Sequence, residues 1–151
     1  MQYIAFDFET SGLPKGRRNV KIITPETLHC FDMCRAVSLS AARFSNKGRL
    51  IDTFDAIIHP TDFQISQGSI DIHGITQEKA EREGRPFVEV FLDFARFIGP
   101  RTTTMVAHNA IFDTSVLRSE MIRHQLDLSL IQNLNFRCTL ELHKEKHLTP
   151  I

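Results

Sequence analysis

Near the start of the chain, Tyr3-Ile4-Ala5-Phe6-Asp7-Phe8-Glu9 alternates with period two. Successive side chains of a strand leave opposite faces, so Ile4, Phe6 and Phe8 share one face and Ala5, Asp7 and Glu9 the other. Such a strand demands an apolar layer beneath it and carries two acids above. The Cα atoms of Asp7 and Glu9 then stand roughly 6.6–6.8 Å apart. Carboxylates that close repel each other unless something positive lies between them. Hard divalent ions such as Mg²⁺ take oxygen ligands of this kind. An Asp-x-Glu pair also arises by chance on a solvated strand face, so the pair alone does not decide between the two.

The rest of the chain supplies layers for that strand. Residues 11–32 hold Gly12, Pro14, Gly16, Asn19 and Pro25 and read as a long loop. Residues 35–44 and 50–59 flank Asn46-Lys47-Gly48 as a hairpin. Thr76 to Glu83, closed by Gly84, suits a short capped helix. Pro86 opens another, in which Phe87, Val90, Phe91, Phe94 and Ile98 recur at helical spacing before Gly99-Pro100. Thr102 to Ala107 reads as a short buried strand. Asn109 is expected to cap a helix from Ala110 to about His124, with Phe112, Val116 and Leu117 inward. Phe136 to Thr139 reads as a further strand end before a terminal helical piece. The order predicts one α/β domain over residues 1–151, a mixed central sheet flanked by helices.

Composition narrows the class. With 42% hydrophobic and 24% charged residues, a chain of 151 residues is an ordinary globular domain able to bury a core. No apolar run reaches the roughly 18 residues of a membrane span, and no signal peptide is read at the start, so the expectation is an intracellular, cytoplasmic protein without a membrane partner. Eighteen basic and 18 acidic residues give zero formal net charge, so nucleic-acid contact must be local. Cys30, Cys34 and Cys138 are read as free thiols, and Cys30-x-x-x-Cys34 lacks a second ligand pair for zinc.

A second acid-bearing segment lies far from the first. In Val106-Ala107-His108-Asn109-Ala110-Ile111-Phe112-Asp113 a strand end leads to a helix whose first turn holds Asp113. There the helix dipole favours the ionised carboxylate, although a simple first-turn acid has the same signature. Together with Asp7-Phe8-Glu9-Thr10-Ser11-Gly12-Leu13-Pro14, this segment resembles the first two motifs of the DEDD 3′–5′ exonucleases. That group contains the DNA polymerase III proofreading subunit, ribonuclease T and oligoribonuclease. Ile72-His73-Gly74-Ile75-Thr76 followed by Phe87-Val88-Glu89-Val90 is similar to the connector of the proofreading branch.

The resemblance implies a ribonuclease H-like fold and two Mg²⁺ or Mn²⁺ ions held by Asp7, Glu9 and Asp113. It implies that Thr10 and the backbone of Ser11, Gly12 and Leu13 hold the terminal nucleotide, with Leu13 against its base. It gives Asn109 an orienting role and single-stranded DNA or RNA 3′ ends as the partner; it names no polymerase partner. Phe112 is read as packing, and His73 and His108 as turn or strand-end residues in preference to site residues.

The family's third motif, with a fourth acid and a His or Tyr, has no counterpart: no aspartate follows Asp127. The tail from Arg137 to His147 resembles the approach to that motif. His143 and His147, four apart, are read as part of a solvated charged helix. The expectation is therefore a C-terminally truncated domain of impaired activity. The alternative is a catalytically inactive nucleic-acid-binding or assembly module. A truncated domain should leave part of the Ile4–Phe6–Phe8 face open, favour self-association and fray from about Leu140. In the loop after the first motif, Lys15, Arg17, Arg18 and Lys21 suit either local phosphate contact or plain solvation.

Overall fold

The alternating segment forms β1, Gln2–Thr10, in the middle of a five-stranded sheet. The computed structural model describes residues 1–16, 23–100 and 103–148, with side chains in the last helix as far as Lys144. Its other strands are β2 (Ala36–Ser45), β3 (Leu50–Ile57), β4 (Thr103–Ala107) and β5 (Asn135–Cys138), in the order β3-β2-β1-β4-β5. β1 pairs antiparallel with β2, and β2 with β3, as the hairpin pattern predicts. On the other side β1 runs parallel to β4, and β4 to β5. Parallel neighbours need crossovers, and helices supply them. This is the mixed sheet flanked by helices that the sequence order implies.

The helices are α1 (Gln67–His73), α2 (Gln77–Glu83), α3 (Phe87–Ile98), α4 (Ala110–Arg123), α5 (Ser129–Gln132) and α6 (Thr139–Leu148). In α2 the Thr76 hydroxyl accepts from the Lys79 N–H, the cap its sequence predicts. In α3 the expected stripe is buried: Phe87, Val90, Phe91, Phe94 and Ile98. It packs on the lower face of β1, where Phe94 lies 6.4 Å from Phe6 between ring centroids. Val116, Leu117 and Met121 of α4 join the same core, and Phe136 of β5 closes it 6.0 Å from Phe6.

Three expectations need correction. Ile4, Phe6 and Phe8 are 0%, 4% and 3% exposed, so their face is covered by α3 and α4 and not open. The self-association expected through it therefore loses its surface. The exposed face of β1 is the opposite one, with Tyr3, Ala5 and Asp7. Thr139–Leu148 form helix α6, the terminal helical piece that the sequence suggests. Asn109 stands at the N-cap of α4 but makes no side-chain cap bond; it takes the left-handed conformation, φ 60° and ψ 57°, which asparagine tolerates. The loop 11–32 contains a short 3₁₀ turn, Leu28–Phe31, whose Phe31 is buried.

A buried ion pair fastens α4 to the start of β2. Arg35 Nε donates to Glu120 Oε1 at 2.8 Å, and Ala36 N–H donates to the same oxygen at 3.1 Å. Arg35 is 4% exposed and Glu120 2%. Burial alone would push the Glu120 carboxyl up, but hydrogen bonds from His124 and Arg35 and the Arg35 charge hold it below its ordinary value. Arg35 also reaches Asp62 at 3.0 Å, and its guanidinium lies 4.7 Å over the Phe63 ring.

Breaking that pair from one side strands the other charge. Arg35→Met is expected to destabilise the fold by about 3–5 kcal/mol, whereas Asp62→Asn, at the exposed end, is expected to cost about 0–1 kcal/mol. Urea unfolding of the two variants checks this; equal losses would contradict it.

Candidate active site

β1 runs past the end of β4. The parallel pairing stops at Ala5 and Val106, so the β1 backbone beyond it has no strand on that side. There the Phe8 N–H donates to Asp113 Oδ1 at 2.9 Å, across 105 positions of sequence. Asp113 sits in the first turn of α4 and is 2% exposed. The bond satisfies a buried backbone donor and puts the third acid beside the first two.

The electrostatics show the crowding. Burial pushes the Asp113 carboxyl up to about 7; the Phe8 N–H opposes the shift, and the charges of Asp7 and Glu9 add to it. Asp7 is raised by burial. Glu9 is raised by burial and by Asp7, and lowered by His73. Three acids thus crowd the upper end of β1, and among the described residues none of them forms a salt bridge. Among the described residues no three His, Cys, Asp or Glu side chains are pre-arranged around a common metal position. Asp7, Glu9 and Asp113 are neighbours that do not close a cage. The donor set still fits a hard divalent cation: all oxygen, mutually repelling, and relieved by positive charge.

Beside the acids lies a cleft of about 530 Å³ lined by Glu9, Thr10, Gly12, Leu13, His73 and Phe112, among others. Leu13 and Ile72 stand at it 76% and 85% exposed, unusual for large apolar side chains. Its floor is tied down by backbone bonds. The Ser11 N–H donates to the Arg35 carbonyl at 2.8 Å, and the Ser66 N–H to the Ser11 carbonyl at 2.9 Å. The Thr10 hydroxyl donates to the Gly12 carbonyl at 2.9 Å, and the Ser11 hydroxyl to the Met33 carbonyl at 3.1 Å. A Cβ at Gly12 would meet the Met33 carbonyl oxygen at 2.5 Å, so glycine is required there.

His73 is a clamp, as its reading as a turn residue anticipates. Its Nδ1 accepts from the Ile75 N–H at 3.0 Å, which leaves Nε2–H to donate to the Thr10 carbonyl at 3.1 Å. That ties the C-terminus of α1 to the end of β1. His108 holds a strand end: its Nδ1 is 3.0 Å from the Thr139 hydroxyl. Asn109 lies between β4 and α4, four residues ahead of Asp113. Phe112 is half-buried against the core and also lines the cleft. Of the basic loop, Lys15 is exposed, with its N–H donating to the Cys30 carbonyl; Arg17, Arg18 and Lys21 lie outside the described residues. The three cysteines are free thiols. Among the described residues no helix is long and apolar enough to cross a membrane.

The RNase_T family, described as an exonuclease family, matches residues 4–148, and the chain belongs to it. It is 27% identical to the DNA polymerase III PolC-type of Streptococcus thermophilus over 148 residues, 96% of this chain and 9% of that protein. The Streptococcus mutans counterpart is 28% identical over the same span. Among solved structures, product-bound exonuclease I superposes with a TM-score of 0.77 at 18% identity, over 97% of this chain and 31% of that one. E. coli exonuclease I in complex with a dT13 oligonucleotide gives 0.76 at 17% identity, over 97% and 29%. These likenesses show the fold, ribonuclease H-like α/β. The chain spans about a tenth of the polymerase relatives and under a third of the exonuclease I chains.

The raised Asp113 carboxyl has a defined pH consequence. The folded state holds this proton more tightly than the unfolded state, so the contribution of Asp113 to stability is fully present below about pH 4 and is lost as pH rises towards 7. Asp113→Asn keeps an acceptor for the Phe8 N–H and removes the charge. In chelator, melting curves should show this variant more stable than the parent at pH ~8, by on the order of a few kcal/mol. A less stable variant would contradict the assignment.

Proposed function

We propose that this chain is the catalytic-domain portion of a metal-dependent 3′–5′ exonuclease that hydrolyses phosphodiester bonds at single-stranded nucleic-acid ends. The observation that carries this is the crowding of Asp7, Glu9 and Asp113 beside an apolar-mouthed cleft in a member of an exonuclease family. Asp7, Glu9 and Asp113 would hold Mg²⁺ or Mn²⁺, two ions in the resemblance. Such ions, when bound, supply charge neutralisation at the phosphate and a water of lowered pKa. The chain's own part is to hold the acids in place. The Phe8 N–H fixes one Asp113 oxygen and leaves the other for ligation, while His73 steadies the strand end that carries Glu9.

The cleft is proposed to take the terminal nucleotide. Thr10, Ser11 and Gly12 shape its floor, Leu13 lies against the base, and Asn109 orients the turn before Asp113. The relatives favour nucleic acid as partner: one solved exonuclease I holds an oligonucleotide, and the curated relatives are polymerases. A location inside the cell follows from such a substrate.

The test is a 5′-labelled single strand, DNA and RNA in parallel, incubated with purified protein and Mg²⁺ or Mn²⁺. The expected result is shortening from the 3′ end that chelator stops and Asp7→Ala abolishes. Cation-independent cleavage, or activity that survives Asp7→Ala, would contradict the reading. Binding of the strands with no cleavage at any cation concentration would favour the inactive module.

A further inference from the structure

Strand register puts a positive charge on the sheet face that carries the acids. Ala5 is level with Val106 of β4, and Val106 is level with Arg137 of β5. Paired residues of neighbouring strands point to one face. Phe136, the residue before Arg137, packs beneath the sheet against Phe6, so Arg137 stands above it on the face of Ala5 and Asp7. Two strand spacings across and one two-residue step along put its Cα roughly 12 Å from that of Asp7. An extended arginine side chain covers much of that gap. Arg137 is exposed, and among the described residues no salt bridge or hydrogen bond engages its guanidinium. By contrast Arg35, Arg82, Arg85, Arg96 and Arg123 are each held by an acid. In a chain of zero formal net charge, phosphate contact must be local, and this cation is beside the acids.

The order along β1 gives that charge a task. The cleft lined by Glu9, Thr10, Gly12 and Leu13 lies at and beyond the C-terminal end of the strand. Asp7 comes before it, and Arg137 is one step further back, level with Ala5. A nucleic-acid strand whose terminal nucleoside fills the cleft, and whose scissile phosphate lies at the acids, leaves the site on the side away from the cleft. We propose that Arg137 binds the phosphate next to the scissile one on its 5′ side, so that the bound strand leaves the acids over β4 and β5. The inference rests on the nuclease reading and extends it by one nucleotide. The contact is to phosphate and not to a base, so it strengthens binding alike for every sequence.

The experiment is fluorescence anisotropy of 5′-labelled pentathymidylate with the full 151-residue chain in Ca²⁺, a hard ion that takes oxygen ligands. Arg137→Gln, verified as folded by its melt, is expected to bind about three- to tenfold more weakly than the parent. Its slope of log affinity against log salt should be flatter by about 0.7, the share of one phosphate on a single strand. Replacing the phosphodiester next to the scissile one by a neutral methylphosphonate should cost the parent a similar factor and cost Arg137→Gln nothing further. Arg49→Gln, an exposed arginine at the β2–β3 turn, should bind as the parent does. The proposal alone is overturned, and the nuclease reading kept, if Arg137→Gln binds like the parent, loses as much again to the methylphosphonate, or loses no more than Arg49→Gln. Absence of strand binding by the parent would overturn both.

Discussion

One hydrogen bond sets the geometry on which the site depends. β1 outruns its parallel neighbour, so the Phe8 N–H, in the buried interior, must find an acceptor outside the sheet. Asp113 provides it from the first turn of α4. The bond draws a nearly inaccessible carboxyl up against Asp7 and Glu9, where burial and repulsion raise it to about 7. A neutral acceptor would meet the backbone need without that electrostatic penalty. An acid there makes sense if a cation is drawn to the cluster, because the same repulsion then becomes attraction for the ion.

The rest of the fold holds α4 in register with β1. Glu120, near the far end of α4, is anchored by Arg35 and the Ala36 N–H at the start of β2, beside β1. Val116 and Leu117 between the two anchors, and Met121 just beyond, belong to the same core cluster as Phe6 and Phe8. A helix fixed at both ends and packed between them cannot slide by a turn without breaking one anchor. Such rigidity is what a constellation of ligands requires, since small misplacements cost heavily in rate. His73 and Gly12 do the same for the cleft, one by clamping the strand end, the other by letting the Met33 backbone approach.

Much of this was legible in the sequence, because it is local. The alternation of Ile4, Phe6 and Phe8 against Asp7 and Glu9 predicts β1 and its faces, and the phenylalanine stripe predicts α3. Motif order pointed to the family to which the chain belongs. What was not legible is long-range or weakly signalled. α1 has Gly68 and Ser69 in its first turn and no buried residue, so no apolar stripe betrays it. Nothing local says that Asp113 will meet Phe8. Glu120 did carry a signal: it falls on the inward stripe with Val116, Leu117 and Met121, and a charge there calls for a buried partner. The open face was misassigned because an apolar strand face does not say which layer covers it. Here α3 and α4 cover Ile4, Phe6 and Phe8.

The central claim is that Asp7, Glu9 and Asp113 together attract a divalent cation. Anomalous diffraction from crystals soaked in a manganese salt tests it most directly. The account predicts a peak at the upper end of β1 with at least two of the three carboxylates about 2.0–2.3 Å away, the spacing of hard divalent ions and oxygen. An empty cluster at saturating manganese, or peaks confined to surface acids elsewhere, would contradict it.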